Sequence, residues 1–390
     1  MNIELPPKFF NTAGPIQPDI HYNVDSLTRI NLDEILGLIH QRKYFVLHAP
    51  RQTGKTSCLL ALRDYLNRQG QYICVYANVE AGQAARNDVK EVVETTASAI
   101  AYRTEMVLKS RMPREILQQL KKEDVSPGSF LTDYIRALCW ALPKPLVLFI
   151  DEIDALVGDS LVSVLRQIRA GYDQRPESFP QSIVLCGVRD VRDYRIVLSN
   201  QDIVTGGSAF NIKAKSLRLG NFTKEEIHDL YMQHTAATGQ EFDEACFPLI
   251  WEATEGQPWL VNALGYEVTY EMKENRDRSI RIIPEMIYHA QERIIYRRDT
   301  HIDILIDKLI KASKATGIKD IAIAGGVSAN SGLRNGITEA GRRRGWRTFL
   351  PELKFTTDNA AMIATAGYYR YMAGQISNLE VSPVARLQDL

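Results

Sequence analysis

The sequence predicts an α/β protein: a parallel sheet covered by helices, a helical block after it, and a second, smaller α/β segment at the end. Three observations carry this. Strand-length apolar runs alternate with helix-length segments from about residue 44 to about 220. The pattern then turns helical to about residue 298, and after about residue 300 a strand, a glycine-rich turn, a helix and another strand follow one another.

Residues 1–31, rich in Pro and Asn, are expected to run extended over the surface, and Asn31 then caps a helix to about residue 41. Residues 44–48 read as a buried strand, 56–68 as a helix and 72–78 as a second strand, which makes a βαβ unit. Helical segments fill about 84–142, buried strands lie at 146–150 and 182–187, and 216–219 offers a fifth. Thr223 and Pro284 open two helices of a lid. Beyond it come strands at 319–324 and 346–350, a helix to about 344 between them, and a last helix from 357. The expected domains are therefore 1–31, 32–222, 223–300 and 301–390.

Apolar residues make up 45% of the chain and charged residues 24%, the balance of a globular protein able to bury sizeable cores and not of a disordered one. Lys plus Arg equals Asp plus Glu at 47 each, so no global field draws the chain to nucleic acid or to an acidic membrane. The five cysteines form no CxxC pair and fall mostly in apolar runs, as reduced core thiols do. The first residues lack the pattern of a secretory signal, and no apolar run approaches the roughly 20 residues that span a bilayer. The expectation is a cytoplasmic protein with no membrane partner.

The segment Ala49-Pro50-Arg51-Gln52-Thr53-Gly54-Lys55-Thr56 lies between a predicted strand and a predicted helix, where a Walker A loop must sit. Its amides would wrap phosphates at the helix N-terminus, with Lys55 as the point charge, Thr56 as a Mg²⁺ hydroxyl and Gly54 allowing close approach. Ala49 stands where the pattern has Gly, and the competing reading is an ordinary turn that happens to contain GKT. A second motif is independent: the apolar run 146–150 ends in Asp151-Glu152, the form of Walker B. Asp151 would hold Mg²⁺ and Glu152 would act as general base on water; the alternative is an acidic pair opening a helix. The next strand ends at Gly187-Val188-Arg189-Asp190, so Arg189 is a candidate γ-phosphate sensor or else a surface cation, with Arg192 and Arg195 as weaker candidates.

These motifs, with FFNTAGP at 9–15 and GQPWLVNAL at 256–264, resemble the AAA-like and STAND branch of P-loop ATPases over about residues 8–300. The resemblance implies a P-loop NTPase core with a helical lid, ATP with Mg²⁺ as cofactors, and a switch that works on a protein effector or by self-association. It also implies that Gly256-Gln257-Pro258 approaches the nucleotide; a plain helix start with Pro258 near N1 is the other reading.

From about residue 302 the chain resembles the C-terminal part of the TsaD family, tRNA threonylcarbamoyltransferases with ASKHA-fold lobes, through AGGVSANSGLR at 324–334, TTDNAAMI at 356–363 and GYY at 367–369. This implies part of an ASKHA lobe, with Asn330 on the adenylate, Asp358 as one ligand of a second metal, and Gly325 and Gly326 in a phosphate-facing turn. The family's HxxxH helix has no counterpart, since no two of the histidines are four apart, so transfer by this chain alone is not expected. A tRNA-modification role with a TsaD-type partner or tRNA is the alternative function, and a fusion passenger joined around 301–309 is a third. Arg342-Arg343-Arg344 could meet tRNA phosphate or simply complement a helix end.

Overall fold

A computed structural model of the chain describes residues 8–190, 194–198, 203–205, 207, 210–323, 331–352, 368–370 and 372–374. It divides into two compact units, Met1–Gln291 and Glu292–Leu390.

In the first unit a short parallel pair, β1 (Phe9–Phe10) and β2 (His21–Tyr22), precedes α1 (Leu32–His40), whose N-terminus is capped by Asn31 accepting from the Glu34 amide. Next come β3 (Tyr44–His48), α2 (Lys55–Gln69), β4 (Ile73–Asn78), α3 (Val89–Leu108), α4 (Met112–Lys122) and α5 (Phe130–Ala141). They are followed by β5 (Leu146–Asp151), α6 (Gly158–Ala170), β6 (Ser182–Gly187), the antiparallel pair β7 (Arg195–Val197) and β8 (Ile203–Thr205), and β9 (Lys213–Arg218).

Five of these strands make one parallel sheet in the order β4-β5-β6-β3-β9. Alternate residues along each strand serve opposite faces. Phe45, Leu47, Cys74, Tyr76, Val147 and Phe149 pack with Leu59 and Leu62 of α2. Val46, Val75, Leu148, Ile150 and Leu185 pack with α3, α5 and α6. Both faces are dry, which is why β5 and β6 read as unbroken apolar runs and not as alternation. The fifth strand lies at Lys213–Arg218, earlier than the 216–219 expected, because an edge strand with exposed Lys215 and Arg218 gives a weak apolar signal.

The lid comprises α7 (Lys224–Thr238), α8 (Cys246–Thr254) and α9 (Pro258–Tyr266), and α10 (Pro284–Thr316) runs on from it. Thr223 and Glu226 close a reciprocal capping box on α7, and Pro258 and Pro284 each open a helix.

Most described residues of the N-terminal segment are exposed or half-buried, but it is anchored where Phe10 and Tyr22 are buried among Tyr231, His234 and Phe242. Gly265 of α9 makes room, since a Cβ there would lie 2.7 Å from the Phe10 ring. Burying two large aromatic side chains holds this extended, Pro-rich segment in place.

The second unit contains β10 (Asp320–Ala322), α11 (Ser331–Arg344) and β11 (Arg347–Phe349), with β10 and β11 paired in parallel and joined by an Arg347–Asp320 ion pair. Ala324 and residues 357–367 of the expected last helix lie outside the described residues, and 368–370 are helical.

Candidate functional site

A parallel sheet collects the C-terminal ends of its strands on one edge, and β3, β6 and β5 are neighbours there. The loop after β3 leads into α2, whose N-cap is Gly54 at φ +87° with no side-chain cap. That sets α2 apart from α1, α3 and α7, in each of which one first-turn amide, that of Glu34, Glu91 or Glu226, is taken by the side chain of Asn31, Asp88 or Thr223. The first-turn N–H groups of α2 therefore keep their anion-binding capacity. Lys55 is buried, and its Nζ donates to the carbonyls of Ala49 (2.8 Å) and Pro50 (3.0 Å). Thr53 Oγ1 donates to Pro50 O at 2.8 Å, and Gln52 sits exposed at φ +64°.

Across the strand ends, Asp151 is fully buried and its carboxylate is shared. Oδ2 accepts from Thr56 Oγ1 at 2.8 Å and from Tyr76 OH at 2.9 Å, while Oδ1 accepts from the Glu152 amide at 2.9 Å. Glu152 follows at φ +59°, a left-handed conformation that costs a non-glycine residue energy and that clusters at functional sites. Burial, then the nearby Asp151 and Asp154, push the Glu152 carboxyl above its ordinary range, with Lys55 opposing them. Among the described residues no group of three His, Cys, Asp or Glu converges, but one buried carboxylate beside one hydroxyl suits Mg²⁺, which takes few protein ligands and completes its shell with phosphate and water.

Beside the loop lies a cavity of about 170 Å³ whose walls include Asn11, Gln52, Gly54, Pro258, Trp259 and Asn262. The N-terminal segment forms one wall and is fixed by Trp259 Nε1 donating to Thr12 O (2.8 Å), Asn11 N to Asn262 Oδ1 (3.2 Å) and Ile16 N to Ser57 Oγ (3.1 Å). Pro258 is the first residue of α9 and also lines this cavity. Gly256 ahead of it has φ +71°, and a Cβ there would lie 2.1 Å from Phe222 O.

Ala49, Gln52, Thr53, Gly54, Lys55, Thr56, Asp151, Glu152 and Pro258 thus come from one loop, the β5 end and the α9 start. Arg189 follows β6 with an exposed side chain, whereas its neighbour Asp190 is buried and accepts from Ser216 Oγ. Arg192, Gly325, Gly326, Asn330 and Asp358 lie outside the described residues, as does the side chain of Arg195. The sequence reading did not single out Tyr76, Trp259 or Asn262, nor Arg29, which also lines the cavity and donates to Thr53 O at 2.8 Å. Trp259 and Asn262 lie inside the GQPWLVNAL stretch that signalled the lid, whereas Tyr76 sits in a uniformly apolar strand and nothing local marks Arg29.

Two family models match the chain: one described as an AAA domain over residues 39–194, and one described as tRNA N6-adenosine threonylcarbamoyltransferase over residues 184–365. Among solved structures, the Walker-type ATPase of Pyrococcus abyssi aligns with TM-score 0.53 and 15% identity, covering 93% of this chain and 92% of that one. Among curated proteins, the tRNA N6-adenosine threonylcarbamoyltransferase of Porphyromonas gingivalis is 28% identical over 332 residues, 80% of this chain and 91% of that protein. That of Christiangramia forsetii is 52% identical over 87 residues, 22% of this chain and 26% of its own length. The sequence match and the fold overlap: β6 and β9, inside the stretch matched at 184–365, complete the P-loop sheet on both sides of β3. The strand pairing sets β6 and β9 on either side of β3, in the same parallel sheet as the β3, β4 and β5 of the AAA match, so these two strands belong to the P-loop ATPase fold. A TsaD-like stretch follows in the same chain.

Proposed function

We propose that this chain, an AAA-type P-loop ATPase fold joined to a TsaD-like stretch, binds ATP with Mg²⁺ and hydrolyses it as a nucleotide-driven switch. The observation that carries the reading is the hydrogen bond between Thr56 Oγ1 and Asp151 Oδ2, 2.8 Å long across 95 residues of sequence. It joins the hydroxyl and the carboxylate that a phosphate-bound Mg²⁺ needs from the protein.

In this reading Lys55 leaves the Ala49 and Pro50 carbonyls for phosphate oxygens, and the open amides of α2 hold the chain of phosphates. The cavity of about 170 Å³ is smaller than the roughly 300–1,000 Å³ that encloses a whole small ligand, so it suits the base, with the phosphates outside on the loop. Mg²⁺, when bound, neutralises charge developing on the transferred phosphoryl group. Glu152 takes the proton of the attacking water, a role favoured by a carboxyl whose affinity for protons is raised by burial and by Asp151. Arg189, just after the strand between β3 and β5, remains the candidate sensor of the γ-phosphate.

The test is Mg²⁺-dependent turnover by the purified chain beside Lys55→Ala and Glu152→Gln. Glu152→Gln should lose about 10²–10⁴-fold in kcat while still binding ATP; turnover equal to wild type would remove Glu152 as the base. A second reading is favoured by the 52% identity over 87 residues to a threonylcarbamoyltransferase: the TsaD-like stretch engages a transferase-type partner or tRNA. Turnover that starts only when bulk tRNA is added would support it, and turnover indifferent to tRNA would count against it.

A further inference from the structure

Arg29 stands in no recognised motif, yet it meets three separate segments. Its Nη1 donates to Thr53 O at 2.8 Å, its Nη2 to Gly220 O at 2.7 Å, and its guanidinium lies over the Phe222 ring at 4.7 Å. Thr53 belongs to the phosphate loop, while Gly220 and Phe222 belong to the link between β9 and α7.

The Thr53 contact has a directional consequence. The Thr53–Gly54 peptide is trans, so its C=O and N–H point in opposite directions. Fixing the carbonyl on Arg29 fixes the Gly54 amide away from Arg29. A Cβ on residue 54 would lie 2.7 Å from Nη1, so glycine is needed here for the guanidinium to enter as well as for φ +87°.

The other contacts close a circuit. Phe222 N donates to Gly256 O at 2.8 Å, and Gln257 Nε2, one residue on, donates to Gln52 O at 3.3 Å, back on the phosphate loop. The loop and the lid are thus connected twice, once through Arg29 and once through Gln257.

We propose that Arg29 is a positioning residue that sets the amide orientation of the phosphate loop and transmits the loop's occupancy to the lid. The proposal rests on the ATP-binding reading above. The two-pronged guanidinium suits this role because it holds two carbonyls in one plane, whereas an ammonium is a point charge.

The experiment uses the full chain and two variants, Arg29→Met and Arg29→Lys, with ADP as the probe. Two quantities are read: the ADP dissociation constant, and the hydrogen exchange of residues 223–291 with and without ADP. Wild type should bind ADP and protect the lid. Arg29→Met should raise Kd roughly tenfold or more, about 1.4 kcal/mol per decade, and abolish the ADP-dependent protection. Arg29→Lys, which retains the charge, should recover part of the affinity and little of the protection. Wild-type Kd and wild-type lid protection in both variants, even with a lowered Tm, would reduce Arg29 to a structural contact and overturn the proposal. Failure of the wild-type chain itself to bind ADP would instead overturn the ATP-binding reading.

Discussion

The five-stranded sheet of the first unit and the two-stranded pair of the second are both parallel, yet they are stabilised very differently. Every residue of β5 and β6 is buried, and the sheet is covered on both faces. In β10 and β11 the outer residues of each strand are exposed and only the middle one is partly covered. Two short strands with one half-covered position each are marginal by themselves. The comparison teaches that a specific sequence motif and a dense core are separate things. The AGGVSANSGLR stretch is among the most recognisable in the chain, yet it adjoins the thinner of the two sheets.

Breaking the comparison at its strong end should give the largest effect. Phe149→Ala removes a fully buried ring from the middle of β5 and should cost about 3–5 kcal/mol in urea unfolding followed by circular dichroism. A loss below about 1 kcal/mol would mean that the sheet is not the stabilising centre of the first unit.

A smaller effect comes from the lid. His234 is buried against Tyr22 OH and Gln240 Oε1, and burial lowers its pKa to about 4 from the ordinary 6.5. Below pH 6.5 the unfolded chain takes up a proton that the folded chain refuses, so stability present at neutral pH is lost as pH falls. The difference between pH 7.5 and pH 5 should be about 2 kcal/mol from this one group. His234→Gln should flatten that slope, and an unchanged slope would assign the pH dependence to other groups.

The smallest effect tests the weak end. Ile321→Ala, at the partly covered middle of β10, should cost less than about 1 kcal/mol. A loss as large as that of Phe149→Ala would show that the second unit has a core as demanding as the first.

Much of the P-loop region was legible in the sequence because its signals are local. A buried strand, a glycine-lysine-threonine turn and a helix start lie within 49–56 and their flanks, and Leu146 to Asp151 reads as a buried strand ending in acid from composition alone. β9 was harder because the lysines of an edge strand mask its periodicity, and Tyr76 was hidden because a tyrosine in an apolar strand looks like core. In the N-terminal segment prolines and asparagines describe the largely exposed backbone, and Phe10 and Tyr22 decide where it is anchored.

What the sequence determined by itself, then, is the set of parts: an α/β core with its phosphate-loop and acidic-strand motifs, a helical lid, and a TsaD-like stretch. What only the tertiary structure decided is which distant parts meet: Thr56 with Asp151, Tyr76 with the same carboxylate, Trp259 with Thr12, and Arg29 with Thr53 and Gly220. The reason is physical. Helix and strand periodicity are set by neighbours within a few residues, whereas these hydrogen bonds exist only once strand order and lid packing have brought remote segments within 3 Å or so of each other.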